Sequence, residues 1–204
     1  MPRATPLPAD ERRAAILAAT EPLLQRWGRE VSTRQIAEAA GIAEGTIFRV
    51  FPSKEILIDT VVADAFDMRR TCLEIGRIDR ALDLETRLER AVEILQHRMR
   101  RVFALFHALR YRPQPDDASH LKHTEDNRLL NATLTALIRP DRDRLCVPPK
   151  EAADLLRSLT FAVTHPMLSV QPPYEPAALV RVLMHGVGRQ PLSAPIKTLE
   201  SGRC

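Results

Sequence analysis

A chain of 204 residues has room for one core domain and a small attached domain. Hydrophobic residues make up 45 % of the chain, which allows a proper core, and charged residues make up 27 %, which argues against disorder and against a membrane protein. No apolar run approaches the roughly 20 residues that a transmembrane helix needs. The formal net charge of +4 is compatible with nucleic-acid binding but does not identify it.

Three cysteines, Cys72, Cys146 and Cys204, lie far apart and form no C-x-x-C pair. This usage is typical of ordinary cytosolic thiols and not of a disulfide framework or a zinc site. The N-terminal letters MPRATPLPADERR contain no apolar core segment, so they do not predict a secretory signal. We therefore expect a cytoplasmic protein.

Residues 1–9 are rich in proline and predict an extended N-terminal arm. Arg3 in such an arm would reach a neighbouring minor groove, and a disordered tail is the alternative. Residues 10–27 are the first predicted long helix, because apolar and small side chains recur there at helical spacing. Its predicted core stripe consists of Ile16, Thr20, Leu23, Leu24 and Trp27.

The stretch from Val31 to Leu57 predicts two short helices and the start of a third. Ser32-x-x-Gln35 is a capping box, in which each side chain satisfies a backbone amide at the start of a helix. This helix should continue through Ala40, after which Gly41 supplies the left-handed residue that ends it.

A second short helix should run from Glu44 to Val50, with Ile47 on its inner side. Small residues at Ala37 and Ala40 would let the two helices cross closely, as a helix-turn-helix requires. Ser53 then caps the third helix, which begins at Lys54.

This stretch resembles the helix-turn-helix of the TetR family of transcriptional regulators. The matching residues are Thr33-Arg34-x-Ile36-Ala37-x-x-Ala40-Gly41-Ile42, Gly45-Thr46-Ile47-Phe48 and Phe51-Pro52-Ser53-Lys54-Glu55. About 45 residues carry the specific match, and beyond them the likeness is one of length and helical layout. Two helices of an ordinary bundle are the alternative, but a dense run of matching residues favours the family.

The resemblance implies an all-α protein of two domains. The predicted divisions are an arm over residues 1–9, a DNA-binding domain over 10–53, a regulatory and dimerisation domain over 54–188, and a tail over 189–204. The implied function is that of a sequence-specific repressor that a small-molecule effector releases from its operator. The implied partners are double-stranded DNA with a near-palindromic sequence and a second copy of the chain.

The resemblance to the family motif predicts which residues contact DNA. Residues at the start of the first short helix and of the third helix would bind phosphates, and outward residues of the second would enter the major groove. The predicted DNA-binding residues are Thr33, Arg34, Glu44, Thr46, Phe48, Arg49 and Lys54.

Three residues depart from the family pattern. Ala43 stands where a capping serine or threonine is usual, which costs about 1 kcal/mol of helix stability. Phe48 replaces a common tyrosine and loses its hydroxyl. Glu44 replaces a frequent basic residue. Its carboxylate interacts favourably with the helix dipole and can accept a hydrogen bond from a cytosine amino group, but it repels phosphates.

From Ser53 onward the chain predicts five helical segments, of which the first is the helix that Ser53 caps, and residues 76–81 break the chain between the first two. One long helix should run from residue 53 to about 75, and a second from 82 to about 111. Residues 112–123 should form a loop, and three further helices should span 124–138, 149–165 and 176–187. The resemblance implies that the last two helices pack against their two-fold mates in a homodimer.

One face of the helix over residues 82–111 predicts an effector pocket. Met99, Phe103 and Phe106 lie on this face, and Arg110 continues it four residues later. Such a pocket would suit a mostly apolar ligand with an acidic or carbonyl group. The alternative is an ordinary core stripe that ends in an arginine at the helix C-terminus.

The sequence contains no glycine-rich phosphate loop, no G-x-S-x-G and no H-E-x-x-H. His120-x-x-His123 has metal-ligand spacing but no third ligand at a fixed distance. We therefore expect no enzymatic activity, cofactor or metal. The alternatives are a regulator without an effector, and an enzyme or carrier built on a helical bundle.

Overall fold

A computed structural model of the protein describes residues 8–110, 117–166, 168 and 174–187. Side chains are described for all of these residues except 117–124 and 186–187. The described residues form nine α-helices and no strand. The helices are α1 (Ala9–Trp27), α2 (Thr33–Ala39), α3 (Glu44–Val50), α4 (Lys54–Phe66), α5 (Met68–Gly76), α6 (Leu84–Leu109), α7 (Asp117–Ile138), α8 (Pro149–Thr164) and α9 (Pro176–Val187). The predicted all-α fold is thereby confirmed. None of the helices in these ranges combines the length and apolarity that crossing a membrane requires.

The local signals around α2 and α3 act as the sequence predicts. Ser32 Oγ accepts a hydrogen bond from the Gln35 amide at 3.2 Å, and the Ser32 amide donates to Gln35 Oε1 at 2.8 Å, which completes the capping box. Gly41 has φ of +65°, the left-handed conformation that ends α2 with little strain. Helix α3 has the predicted bounds although Ala43 offers it no side-chain cap.

The first four helices enclose one hydrophobic core, to which α6 also contributes. Residues from α1 to α4 are buried together with the last turns of α6. The buried members of this core are Ile16, Leu24, Val31, Ile36, Ala37, Ile47, Phe51, Leu57, Ile58, Val61, Ala65, Val102, Leu105 and Leu109. Trp27, predicted to face this core, is instead 46 % exposed with the Arg26 guanidinium 5.0 Å from its ring centroid.

The second core lies among α5 to α9 and shares α6 with the first. Leu84, Leu88, Val92 and Leu95 of α6 pack there, whereas Val102 of the same helix belongs to the first core. At 26 residues α6 is roughly 39 Å long, so one rigid element connects the two cores.

The helix predicted over residues 53–75 is divided in two at Asp67, so the prediction of one continuous helix was wrong. Asp67 has extended ψ of 103° and ends α4, and its Oδ1 accepts the Arg69 amide at 2.9 Å to cap α5. A short polar side chain competes well for backbone amides, and this breaks the helix without proline or glycine.

The predicted loop over residues 112–123 was also partly wrong. Helix α7 begins at Asp117, seven residues before the predicted start at Thr124. Residues 111–116 lie outside the described ranges, as do the arm and tail predictions, which fall wholly or almost wholly on residues 1–7 and 188–204.

Arg87 of α6 is the most deeply buried charge among the described residues, at 2 % exposure. Its Nη1 donates to the Leu137 carbonyl at 3.1 Å and its Nη2 forms an ion pair with Asp141. These contacts fix the end of α7 and the following 3-10 turn (Arg139–Arg144) against α6.

Arg87→Met should lower the free energy of unfolding by about 3 kcal/mol, because the substitution leaves Asp141 without its buried partner. Asp141 is only partly buried and has Arg144 at 3.9 Å, so we expect the low end of the range for broken buried pairs. Urea denaturation followed by circular dichroism measures the difference.

Arg90→Met, at an exposed position on the same helix, is the control and should change stability by less than about 0.5 kcal/mol. Asp141→Asn added to Arg87→Met should recover part of the loss, since no unpaired charge then remains. A wild-type-like Arg87→Met variant would contradict a stabilising role of this pair.

Candidate nucleic-acid interface and effector cavity

Helix α3 buries one side and exposes the other. Ile47 is fully buried against α1 and α2, whereas Glu44, Gly45, Phe48 and Arg49 are exposed. Phe48 is 50 % exposed. The exposed arc therefore combines a cation, an aromatic ring and bare backbone on one surface.

Gly45 has no packing role within the described chain. A Cβ at this position would meet no atom within 4 Å, so a larger residue would fit. Glycine within a helix costs about 1 kcal/mol relative to alanine. Such a glycine favours close approach by another molecule to the α3 backbone.

Two of the predicted DNA contacts hydrogen-bond each other. The Thr33 hydroxyl, at the start of α2, donates to Glu44 Oε1, at the start of α3. This bond ties the two helices together and occupies the hydroxyl proton that was predicted to meet a phosphate. It also neutralises none of the Glu44 charge, which stays exposed beside the α3 surface.

Lys54 forms two hydrogen bonds within the protein. Its Nζ donates to the carbonyls of Arg29 at 2.9 Å and Val31 at 3.1 Å, which lie in the connection between α1 and α2. An ammonium has three protons, so one stays available to a phosphate. Sequence periodicity carries no signal for this role, because the partners are 25 and 23 residues away.

The other predicted contacts differ in exposure. Arg34 and Arg49 are exposed, on α2 and α3 respectively, and Thr46 is half-buried at the edge of the α3 surface. On the inner side the Arg13 guanidinium lies 4.5 Å from the centroid of the Phe51 ring, a cation–π contact that fixes the end of α3 against α1. The DNA contacts themselves stay predictions.

A cavity of about 260 Å³ lies between α4, α5, α6, α7 and α8. Its walls are mainly aromatic and aliphatic, with a few polar and charged groups. The lining residues are Phe66, Met68, Leu95, Arg98, Met99, Val102, Phe103, Phe106, Asp126, Asn127, Leu130, Arg157, Thr160 and Phe161. An apolar cavity with few polar groups is the usual form of a small-molecule site, and this one is slightly smaller than the usual range of roughly 300–1,000 Å³.

Aromatic pairs form two sides of this cavity. The Phe66 and Phe106 ring centroids are 5.1 Å apart, and those of Phe103 and Phe161 are 6.4 Å apart, both in tilted arrangements. Phe103 also meets the His165 ring edge-on at 4.9 Å. Rings in these geometries hold their neighbours in place and give the cavity rigid walls.

Three of the four predicted pocket residues, Met99, Phe103 and Phe106, line the cavity. Arg110 does not: it is exposed, and it ends α6 in the left-handed conformation with φ of 50°. The cations at the cavity wall are Arg98 and Arg157, which the sequence interpretation missed. Arg98 lies on the flank of the apolar stripe, and a wider stripe would have included it.

Arg98 is held in an apolar surrounding. Burial lowers the pKa of its guanidinium, although Asp126 opposes this shift by its charge. Its Nη2 donates to the Phe66 carbonyl at 3.0 Å, and its Nε is buried without a hydrogen-bond partner among the described residues. Arg157 likewise has a buried, unpartnered Nε, and its Nη2 lies 3.7 Å from Asp154.

A larger cleft, of about 630 Å³, lies between α1, α4 and α6. Its charged residues already pair with one another. Arg101 forms two hydrogen bonds to Glu21 of α1, at 2.7 and 2.6 Å, and lies 3.8 Å from Asp64 of α4. The Glu21 bonds raise the pKa of Arg101, so the guanidinium is firmly charged. This cleft is more open and offers fewer unpaired groups than the smaller cavity.

Comparison with known proteins gives one family and several relatives. Residues 16–61 match the sequence model of a family described as bacterial regulatory proteins of the tetR family. The chain is 45 % identical over 58 residues to the HTH-type transcriptional repressor KstR of Rhodococcus jostii (strain RHA1). That match covers 28 % of this chain and 27 % of KstR, so it spans about a quarter of the relative's length.

Solved structures share the fold over most of the chain. The TetR transcriptional regulator SCO0520 of Streptomyces coelicolor is similar with a TM-score of 0.57 and 20 % identity, covering 86 % of this chain and 98 % of that chain. SmeT in complex with triclosan is similar with a TM-score of 0.54 and 16 % identity, covering 95 % of this chain and 99 % of that chain. At these identities the likeness is one of fold.

Lys54→Met should have two separable effects. Loss of the two carbonyl contacts should lower the free energy of unfolding by about 1–2 kcal/mol. If the third ammonium proton meets a phosphate, the slope of log affinity for duplex DNA against log salt should also become shallower by about one unit. Urea denaturation and salt titrations of DNA binding measure the two.

Arg34→Met provides the comparison, because Arg34 is exposed and its side chain forms no hydrogen bond or ion pair with the described residues. It should change the salt slope similarly while stability stays within about 0.5 kcal/mol of the wild type. An unchanged slope for Lys54→Met would remove Lys54 from the interface and leave it a structural residue.

Proposed function

Because the chain belongs to the TetR family of bacterial regulatory proteins, we propose that it is a transcriptional repressor that a small-molecule effector releases from DNA. It binds a near-palindromic operator as a homodimer. A protein that acts on a bacterial chromosome works in the cytoplasm, which is where we place it. The proposed DNA-binding domain spans residues 10–53, and the proposed regulatory and dimerisation domain spans residues 54–188.

The observation that carries this proposal is the exposed surface of α3. Gly45, Phe48 and Arg49 leave that surface open, and the chain itself gives Gly45 no packing role. An α-helix fits the major groove of B-DNA, where an arginine can bond guanine and an aromatic ring can contact the thymine methyl group. Helix α2 would then cross the backbone with Arg34 near a phosphate.

Dimerisation through α8 and α9 is supported by the exposed apolar residues on the outer sides of these helices. Each helix buries one side in the core, through Leu156 on α8 and Val180 on α9. On their outer sides Leu155 and Val182 are exposed, and Val182 is 59 % exposed. Large exposed apolar residues on adjacent helices favour a partner surface, and a two-fold interface uses the same patch twice.

Effector binding is supported by the cavity between α4 and α8. SmeT was solved with triclosan, a small molecule, and it shares this fold. In the present chain the aromatic walls and the two arginines would hold a ligand with an apolar body and a polar end. The cavity reaches the end of α4, so a ligand there would contact the helix that begins beside α3.

Val182→Asp should convert the dimer to a monomer and lower operator affinity by at least about 100-fold, because a charge at the centre of the proposed interface opposes its burial. Operators come from selection of genomic fragments with the purified wild type. Sedimentation and fluorescence anisotropy then measure the two effects.

Leu73→Asp is the matched control, since Leu73 is 63 % exposed on α5, away from α8 and α9. It should stay dimeric and bind the operator as the wild type does. A wild-type chain that is monomeric at micromolar concentration, or that selects only asymmetric sites, contradicts the proposal. Half-sites should lie roughly 34–36 Å apart or close to that distance.

Arg49→Ala should weaken binding by about 1–3 kcal/mol only at operators with the base that Arg49 reads, which we expect to be guanine. Anisotropy titrations against a set of single-base operator variants measure this loss. Arg34→Ala, by contrast, should weaken all operators alike, because phosphates carry no sequence information. A uniform loss for Arg49→Ala would assign it to the backbone instead.

A further inference from the structure

Arg98 connects the cavity to α4 directly. It lines the cavity, and the same side chain donates from Nη2 to the carbonyl of Phe66 at 3.0 Å. Phe66 is the last residue of α4, where the carbonyl oxygens have no partner within the helix. Arg98 therefore satisfies a helix end that the cavity also touches through the Phe66 ring.

The guanidinium has unused donor capacity on the edge that carboxylates bind. Its Nε is buried and has no hydrogen-bond partner among the described residues. A bidentate carboxylate uses two neighbouring nitrogens of the fork, such as Nε and Nη2. The second of these nitrogens is the one that now holds the Phe66 carbonyl.

The other charges at the wall do not occupy this edge. Asp126 lines the cavity but is not within ion-pair distance of Arg98 in the described structure. Arg157 lies near Asp154, which compensates its charge outside the cavity. Arg98 therefore lines the cavity with an unpartnered Nε beside an Nη2 that is bonded to the Phe66 carbonyl, and no carboxylate lies within ion-pair distance of it among the described residues. Asp126 disfavours a second negative charge on the ligand.

Resting on the proposed function, we propose that the effector is a small monocarboxylate with an aromatic or aliphatic body, and that its anion pairs with Arg98. Pairing draws Nη2 toward the carboxylate and loosens its bond to the Phe66 carbonyl. A carboxylate is ionised as well and can accept from two guanidinium nitrogens at once, whereas the Phe66 carbonyl is a neutral acceptor held by one nitrogen, so the ligand wins this competition. The end of α4 is thereby released, and the change reaches α3 through α4 itself.

The size of the cavity agrees with this class of ligand. At about 260 Å³ it suits one ring with a short chain and not a large polycyclic molecule. The rings of Phe66 and Phe106 on one side and of Phe103 and Phe161 on the other would contact the body. The carboxylate would then lie at Arg98, on the wall that α6 provides.

Titration calorimetry with 4-phenylbutyrate and 4-phenylbutyramide tests the ligand class, since the two probes share a body and differ in charge. The full-length wild type should bind the carboxylate at least about tenfold more tightly than the amide. Arg98→Met should abolish this preference. Asp126→Asn should strengthen carboxylate binding and leave amide binding unchanged, because it removes a like charge from the wall.

Arg100→Met, exposed on the same helix, is the control and should keep the wild-type preference. If Arg98→Met fails to fold by circular dichroism, Arg98→Lys replaces it, since lysine keeps the charge without a paired donor edge. Equal binding of the two probes, no carboxylate binding at millimolar concentration, or a preference that survives both Arg98 variants overturns the proposal.

A second measurement tests the connection to α4. The carboxylate should lower operator affinity of the wild type by about tenfold or more, with no such effect on the Arg98 variant. Binding through Arg98 without a change in operator affinity overturns the release of α4. The calorimetry contains no DNA, so failure to bind any operator would overturn the proposed function alone.

Discussion

The contact between α1 and the second half of α6 is the constraint on which the rest of the arrangement depends. Gly28, at the end of α1, lies so close to α6 that a Cβ would be 2.6 Å from the Ala108 carbonyl oxygen, and its φ of +57° also favours glycine. Arg101 adds the two-bond pair with Glu21. A close backbone approach and a charge pair thus fix the helix-turn-helix against the helix that forms the cavity wall.

Helix α4 supplies the other connection between the two cores. It begins at Lys54, whose ammonium holds the connection between α1 and α2, and it ends at Phe66, whose carbonyl is bonded to Arg98. A helix of 13 residues is roughly 20 Å long and transmits a displacement of one end to the other. The break at Asp67 separates this helix from α5, whose buried residues belong to the second core.

The sequence predicted best where a few neighbouring residues determine the structure. The capping box at Ser32, the left-handed Gly41 and the Ser53 cap each act over three or four residues, and the bounds of α3 followed from them. Prediction failed where two local signals compete. At Asp67 the side chain caps a new helix within a continuous apolar pattern, and near Asp117 the polar composition concealed a helix start.

The sequence by itself therefore determined the all-α class, the helix-turn-helix and the apolar face of α6 with Met99, Phe103 and Phe106. Tertiary structure decided which arginine meets the cavity. Arg110 continues the stripe in sequence but ends the helix in solvent, whereas Arg98 is enclosed because α4, α7 and α8 pack around it. Its partner Phe66 lies 32 residues away, as Glu21 lies 80 residues from Arg101. Such pairings depend on the position of whole helices, which periodicity along one helix does not encode.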